Sequence, residues 1–160
     1  MKSAARQPLR STPWALLCGA LLVAACSKHI GDDCKTSVDC SQEGDRACDI
    51  SQPGGYCTIE GCDERTCPSE AVCIRFFPTR YLTKACRKDH PEEDCAFDEL
   101  CLQDGRCAPR STERRFCAYH CTDNGDCRGG YECRKAGTEG TMALVANPAT
   151  PVSFCAPHEQ

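Results

Sequence analysis

The chain has 160 residues, 18 of them cysteine, with a formal net charge of −4 and only one Trp, four Tyr and five Phe. Cysteine at about 11% marks a disulfide scaffold, and the scarcity of large apolar side chains excludes a fold held mainly by a hydrophobic core. Removing a leader that carries Lys2, Arg6 and Arg10 and no acid takes the net charge to −7, a balance that argues against nonspecific binding to nucleic acid.

The N-terminus reads as a signal peptide over residues 1–25. Met1 to Arg10 is basic. Trp14 to Ala25 (WALLCGALLVAA) is apolar throughout, yet far shorter than the roughly 20 residues a spanning helix needs. The small residues before Cys26 suit a cleavage site. Losing the leader discards Cys18 and leaves an odd count of cysteines. Setting Cys26 aside leaves sixteen, an even number suited to disulfides.

Val23-Ala24-Ala25-Cys26 resembles the lipobox of bacterial lipoproteins, with Val where Leu is usual. That resemblance implies a diacylglycerol on the Cys26 thiol, cleavage before it and acylation, palmitate included, of its new amino group. It implies an exported protein anchored to the membrane of the cell envelope. Ser27 follows the lipidated position, where Asp favours inner-membrane retention in this family, so the resemblance implies an outer-membrane address. Residues 26–33 then read as the lipidated cysteine and a short polar tether, reaching at most about 25 Å when extended.

The sixteen cysteines divide by spacing into two sets of eight. Module 1 spans 34–86, with Cys34, Cys40, Cys48, Cys57, Cys62, Cys67, Cys73 and Cys86. Module 2 spans 95–155, with Cys95, Cys101, Cys107, Cys117, Cys121, Cys127, Cys133 and Cys155. Neighbouring residues agree: CDERTCPSEAVC from Cys62 matches CTDNGDCRGGYEC from Cys121. Residues 87–94, charged and containing Pro91, read as a linker, and 156–160 as a tail. The expected fold class is small and disulfide-rich: two tandem eight-cysteine modules of short β-hairpins and loops, with little helix apart from the signal peptide. Bonds are expected to stay within each module, in a pairing that spacing leaves open.

Turn chemistry is dense at Pro53-Gly54-Gly55, Asp104-Gly105, Asn124-Gly125 and Gly129-Gly130. Ile74 to Phe77, Pro78 to Arg80 and Tyr81 to Lys84 read as strand, turn, strand. Tyr131 to Lys135 is expected to pair with Val152 to Cys155 around a loop whose apolar centre is Met142 to Val145. Glu92 to Leu102 could hold a turn or two of helix.

The modules resemble the cysteine-rich repeats of uncharacterised bacterial surface lipoproteins. Their spacing is loosely similar to the Dickkopf N-terminal cysteine-rich region. The whey-acidic four-disulfide core also has eight cysteines, but its adjacent Cys-Cys pair is missing here.

Clustered cysteines raise zinc as an option, at Cys117-x3-Cys121 and Cys57-x4-Cys62. No CxxC pair occurs, an exported chain favours disulfides, and the reading is of no metal and no cofactor. Asp123-Asn124-Gly125-Asp126 lacks the order of an EF-hand loop and reads as a tight turn. No nucleophile elbow is present, and an even cysteine count leaves no reactive thiol, so the reading is not an enzyme. Candidate binding residues are Phe76, Phe77, Arg80 and Tyr81 on the first expected hairpin, and Met142 and Leu144 on the long loop. The expected function is a membrane-anchored, non-enzymatic lipoprotein whose loops bind a protein or glycan. An inhibitor of extracellular hydrolases is the alternative.

Overall fold

The computed structural model describes residues 27–145 and 150–158. The expected signal peptide and the lipidation site Cys26 lie outside the described residues. The fold is a small, disulfide-rich assembly of short antiparallel strands with little helix. The strands are β1 (Ala47–Cys48), β2 (Cys57–Thr58), β3 (Ala71–Phe76), β4 (Glu99–Cys101), β5 (Cys107–Pro109), β6 (Arg114–Tyr119), β7 (Tyr131–Lys135), β8 (Thr141–Leu144) and β9 (Ser153–Pro157). Two single-turn helices, α1 (Ser37–Cys40) and α2 (Pro91–Asp94), accompany them.

Eight disulfides use all sixteen cysteines from Cys34 to Cys155, each with Cα atoms within 5.4 to 5.9 Å. They form four knots of one pattern, first to third and second to fourth. Knot I joins Cys34–Cys48 and Cys40–Cys57. Knot II joins Cys62–Cys73 and Cys67–Cys117. Knot III joins Cys86–Cys101 and Cys95–Cys107. Knot IV joins Cys121–Cys133 and Cys127–Cys155. In each, the third and fourth cysteines face one another across an antiparallel pair: Cys48↔Cys57, Cys73↔Cys117, Cys101↔Cys107 and Cys133↔Cys155.

A second device repeats with the knots. The side chain just before the second cysteine turns back and accepts a backbone N–H just after the first. Asp39 accepts from Lys35 at 2.8 Å and Thr36 at 2.9 Å. Thr66 Oγ1 accepts from Asp63 at 3.1 Å. Asp94 accepts from Arg87 at 2.8 Å. Asp126 accepts from Thr122 at 2.7 Å. Each closes the turn that sets the first two cysteines over the strand pair, satisfying amides that a short turn leaves free. The Asp123 to Asp126 stretch is such a turn, capped at both ends.

The expectation that bonds stay within each eight-cysteine module is overturned by Cys67–Cys117 and Cys86–Cys101. The reason is an insertion: knot III sits between the third and fourth cysteines of knot II. Residues 87–94, expected as a linker, lie between the first two cysteines of knot III. Arg87 there donates to Glu93 at 2.6 Å and to Asp94 at 3.0 Å. The Ile74 to Lys84 hairpin does not form either. Thr79–Tyr81 makes a 3-10 turn after Pro78. Thr83 to Cys86 then runs beside Gly105 to Cys107, with Thr83 and Cys86 donating at 2.8 Å each. The expected helix from Glu92 is only α2, and β4 occupies its latter part. The pairing expected after Tyr131 is found: β7 lies against β9, with Lys135 opposite Ser153 and Tyr131 opposite Pro157.

Knots II and IV join in one three-stranded sheet of order β6-β3-β8. The stretch after β2 continues it, with Cys117 N donating to Ile59 O at 3.0 Å and Gly61 N to Arg115 O at 2.8 Å. Under this sheet Ile30, Tyr56 and Tyr131 pack on the disulfides of knots II and IV. Ile74, Ala118, Phe154 and Ala156 form a second cluster. Phe77, Leu102 and Ala108 form a third, which seats knot III.

Residues 28–33 are not the free tether that their polarity suggests. Ile30 is fully buried. Lys28 N donates to Cys40 O at 3.0 Å, Gly31 N to Cys57 O at 2.9 Å, and Cys57 N to Asp32 O at 2.9 Å. One apolar side chain and three ladder-like bonds draw the segment into knot I. The first residues of the expected tail likewise belong to β9.

Candidate functional site

Where knots I, II and IV meet, they leave an open cleft of roughly 700 Å³. The tip of the first hairpin forms one wall with Asp49, Ser51 and Gln52. Arg114, Arg115 and Phe116 of β6 form another, and Phe154 to His158 of β9 a third. Strand alternation sets the composition, since Phe116 and Arg114 lie on one face of β6 and Phe76 on the matching face of β3. Phe76 and Phe116 meet edge-on with ring centres 6.4 Å apart. With buried Phe154 they give the cleft an apolar floor.

Its rim is polar and mostly locked. Asp49 is bound by the Ser51 hydroxyl at 2.6 Å, the Ser51 amide at 3.0 Å and Gln52 Nε2 at 3.1 Å. Partial burial opposes its charge, but these bonds and the nearby Arg114 guanidinium outweigh that and hold its carboxyl below the usual range. Arg134 pairs with Glu132 and with Glu139, at 2.7 Å each. Glu139 adopts φ +50, a left-handed backbone rare for residues other than glycine, and so brings its carboxylate back to Arg134. Glu113 beneath β6 is raised by burial but lowered further by Arg75 and Arg115, for a net depression. Arg114 makes no ion pair among the described residues, so its cation faces the cleft with its donors open.

The candidate binding residues do not act together. Phe77 is fully buried against Leu102 and Ala108, and Met142 packs on that same cluster. Leu144 packs on the disulfide-rich core. Arg75 lies with its guanidinium 5.5 Å from the Phe77 ring centre. Arg80 and Tyr81 are on the surface, with the guanidinium 4.6 Å over the ring. Phe76 alone lines the cleft. The long loop's apolar centre is β8, paired with β3 from Cys73↔Leu144 to Phe76↔Thr141. Asp49, Gln52, Arg114 and Phe116 had no signal in sequence, because two segments more than 60 residues apart must fold together to bring them near each other.

Cysteine sulfurs gather in four groups of three within 4.8 Å, such as Cys34, Cys40 and Cys48. Each of these sulfurs is bonded to another cysteine. They are cystine sulfurs packed as adjacent bridges, not thiolates that could hold a metal. Among the described residues no helix is long and apolar enough to cross a membrane. Compared with known proteins, the chain matches no family model, no curated protein and no solved structure.

Proposed function

We propose that the protein is a membrane-anchored, non-enzymatic cell-envelope lipoprotein, and that its disulfide-stapled frame offers the cleft to a protein or glycan. The cleft carries this reading. An aromatic floor beside one open guanidinium and a ring of fixed amide and carboxylate groups suits a ligand with one apolar face and several hydroxyls or peptide groups. The four knots support it, because walls tied by disulfides lose little freedom when a ligand binds. The anchor rests on the apolar leader and on Val23 to Cys26.

The test has two arms. Metabolic labelling with a clickable fatty acid should mark the wild type and not Cys26→Ala. The purified folded chain should then be screened on glycan arrays and by photocrosslinking from position 52. Retention that falls at least tenfold in Arg114→Glu supports the cleft. Retention unaffected by Arg114→Glu and by Phe116→Ala rejects it.

One observation favours the inhibitor reading as a second possibility. Phe97 stands fully exposed between Cys95 and Cys101, on a turn held by both bridges of knot III. A rigid turn with one projecting aromatic could enter a hydrolase pocket. Assays against proteases that cleave after aromatic residues check it, since inhibition must disappear in Phe97→Ala.

A further inference from the structure

The segment that follows Cys26 has almost no slack. Lys28 is already bonded through its backbone to Cys40, the last residue of α1. Two residues span at most about 7 Å, so Lys28 cannot stand farther than that from the lipid-bearing position. His29 Nδ1 sits 3.6 Å from Glu70 Oε1, and Glu70 O accepts from His120 N at 3.0 Å. The start of β3 and the end of β6 are thereby tied to the same corner. Val38, 69% exposed, lies on α1, whose last residue Lys28 holds, and the exposed Lys35 is tied to the same turn through Asp39.

The other end of β3 leads away. From Glu70 to Phe77 the extended chain covers about 20 Å, and Phe77 is the seat of knot III. Knot III makes its apolar contacts there, with Phe77, Leu82 and Met142.

We propose that the lipid headgroup layer covers the corner formed by Lys28, His29, Lys35 and Val38, and that knot III with Phe97 stands at the far end of the molecule. This rests on the lipoprotein reading of Cys26. The contact is imposed by the length of the connection, not by charge. Lys28 is already paired with Asp33 at 3.1 Å, and Asp39 lies between Lys35 and the end of α1. This geometry makes only the knot III part of residues 95–155 distal. Here part of knot IV returns toward the anchor, with Arg128 reaching Pro53 and Gly55 of knot I.

The only tryptophan in the sequence, Trp14, lies in the leader, so the processed chain is a blank background for a single reporter. Val38→Trp, His29→Trp and Phe97→Trp would be made in the lipidated protein. Each would be reconstituted into phosphatidylcholine and phosphatidylglycerol vesicles containing a lipid with a nitroxide on its headgroup. Quenching of the reporters at 38 and 29 several-fold stronger than at 97 is expected. Inserting roughly twenty Gly and Ser residues between Ser27 and Lys28 should bring the first two down to the level of the third. Equal weak quenching at all three sites, in protein that still floats with the vesicles, overturns the proposal and leaves the lipoprotein reading standing. Failure to float overturns both. Strong quenching that survives the insertion also overturns it, because the corner would then hold the membrane by its own affinity.

Discussion

Cys67 is bonded to Cys117, 50 positions further along the chain, and the whole of knot III is folded between them. β3 and β6 are thus the two arms of one hairpin, with Phe76 opposite Arg114 at its open end. Replacing residues 77–113 by Asn-Gly should close that end with a two-residue turn. The shortened chain is expected to form six disulfides, with the pairing of knots I, II and IV unchanged. Nonreducing peptide mapping checks it. Free thiols at Cys67 or Cys117 would show that knot III is needed to bring the two arms together.

The same bond should be the most stabilising of the eight. In the chain-entropy account a loop of about 50 residues is worth about 4 kcal/mol, and one of about 12 residues about 3 kcal/mol. Cys67→Ser with Cys117→Ser is therefore expected to lose more than Cys121→Ser with Cys133→Ser, whose separation is 12. Guanidinium unfolding of both double variants reads the difference directly. An equal loss would mean that the bridges of knot III already shorten the long loop in the unfolded chain.

Spacing made the disulfide framework, the β7–β9 pairing and the glycine turns legible. Gly54, Gly55, Gly105 and Gly130 all adopt positive φ, as turns of that composition require. The pairing was hidden by one cysteine. Cys86 follows Cys73 in sequence and completes a plausible set of eight, but strand pairing sets Cys117 opposite Cys73 instead. Local pattern cannot reveal that a strand's partner comes after an inserted unit. The same limit hid the cleft, whose walls come from residues near 50, 115 and 155. The burial of Ile30 is hidden for a simpler reason: one apolar residue among SKHIGDD gives no periodicity.

Gly55 shows how closely knot I is packed. A Cβ built there would lie 2.0 Å from Cys34 O, at φ +71. Gly44 has φ +79 with nothing within 4 Å. Left-handed backbone alone costs an alanine about 1–2 kcal/mol. Gly44→Ala should therefore lose about that much, and Gly55→Ala distinctly more, because the Cys34 backbone must move. Thermal midpoints measured side by side decide it. If the two are equal, knot I yields more readily than its two bridges suggest.

The turn-closing carboxylates predict the acid limb of stability. Backbone N–H bonds depress Asp39 and Asp126, and the Arg87 side chain followed by its amide depresses Asp94. A folded-state value below the unfolded one, about 3.9, gives stability that is present above that pH and lost as pH falls through the folded value. Stability should thus change little from neutrality to about pH 4 and decline below it. Asp39 and Asp126 are exposed and Asp94 is partly buried, so salt should weaken the effect most at the first two. The triple Asp→Asn variant is expected to be less stable at neutral pH and to show a flatter acid limb. Thermal scans across the acid range measure both.

Arg128 fastens knot IV to knot I. Its Nη2 donates to Pro53 O at 2.9 Å, to Gly55 O and to Tyr131 Oη at 2.7 Å. Its guanidinium lies 4.3 Å from the Tyr131 ring centre and 5.8 Å from that of Tyr56, and the two rings stack at 5.5 Å. Tyr56 Oη accepts from Tyr119 N at 2.9 Å, and burial pushes the Tyr56 phenol up to about 12. Arg128→Met should cost about 2 kcal/mol, since the buried Gly55 carbonyl loses a charged donor while that of exposed Pro53 can turn to water. Arg128→Lys should restore little, because an ammonium cannot lie flat on the ring and bridge both carbonyls. The phenol supplies a local readout. Its raised value means stability that is intact below pH 10 and lost as pH rises toward 12. Loosening the clamp should admit water and bring that titration down, against the smaller opposing effect of losing the Arg128 cation, visible as tyrosinate absorbance at lower pH. A Tyr56 transition that stays late in Arg128→Lys, which keeps the cation, would show that the ring is buried by knots II and IV without help from the Arg128 clamp.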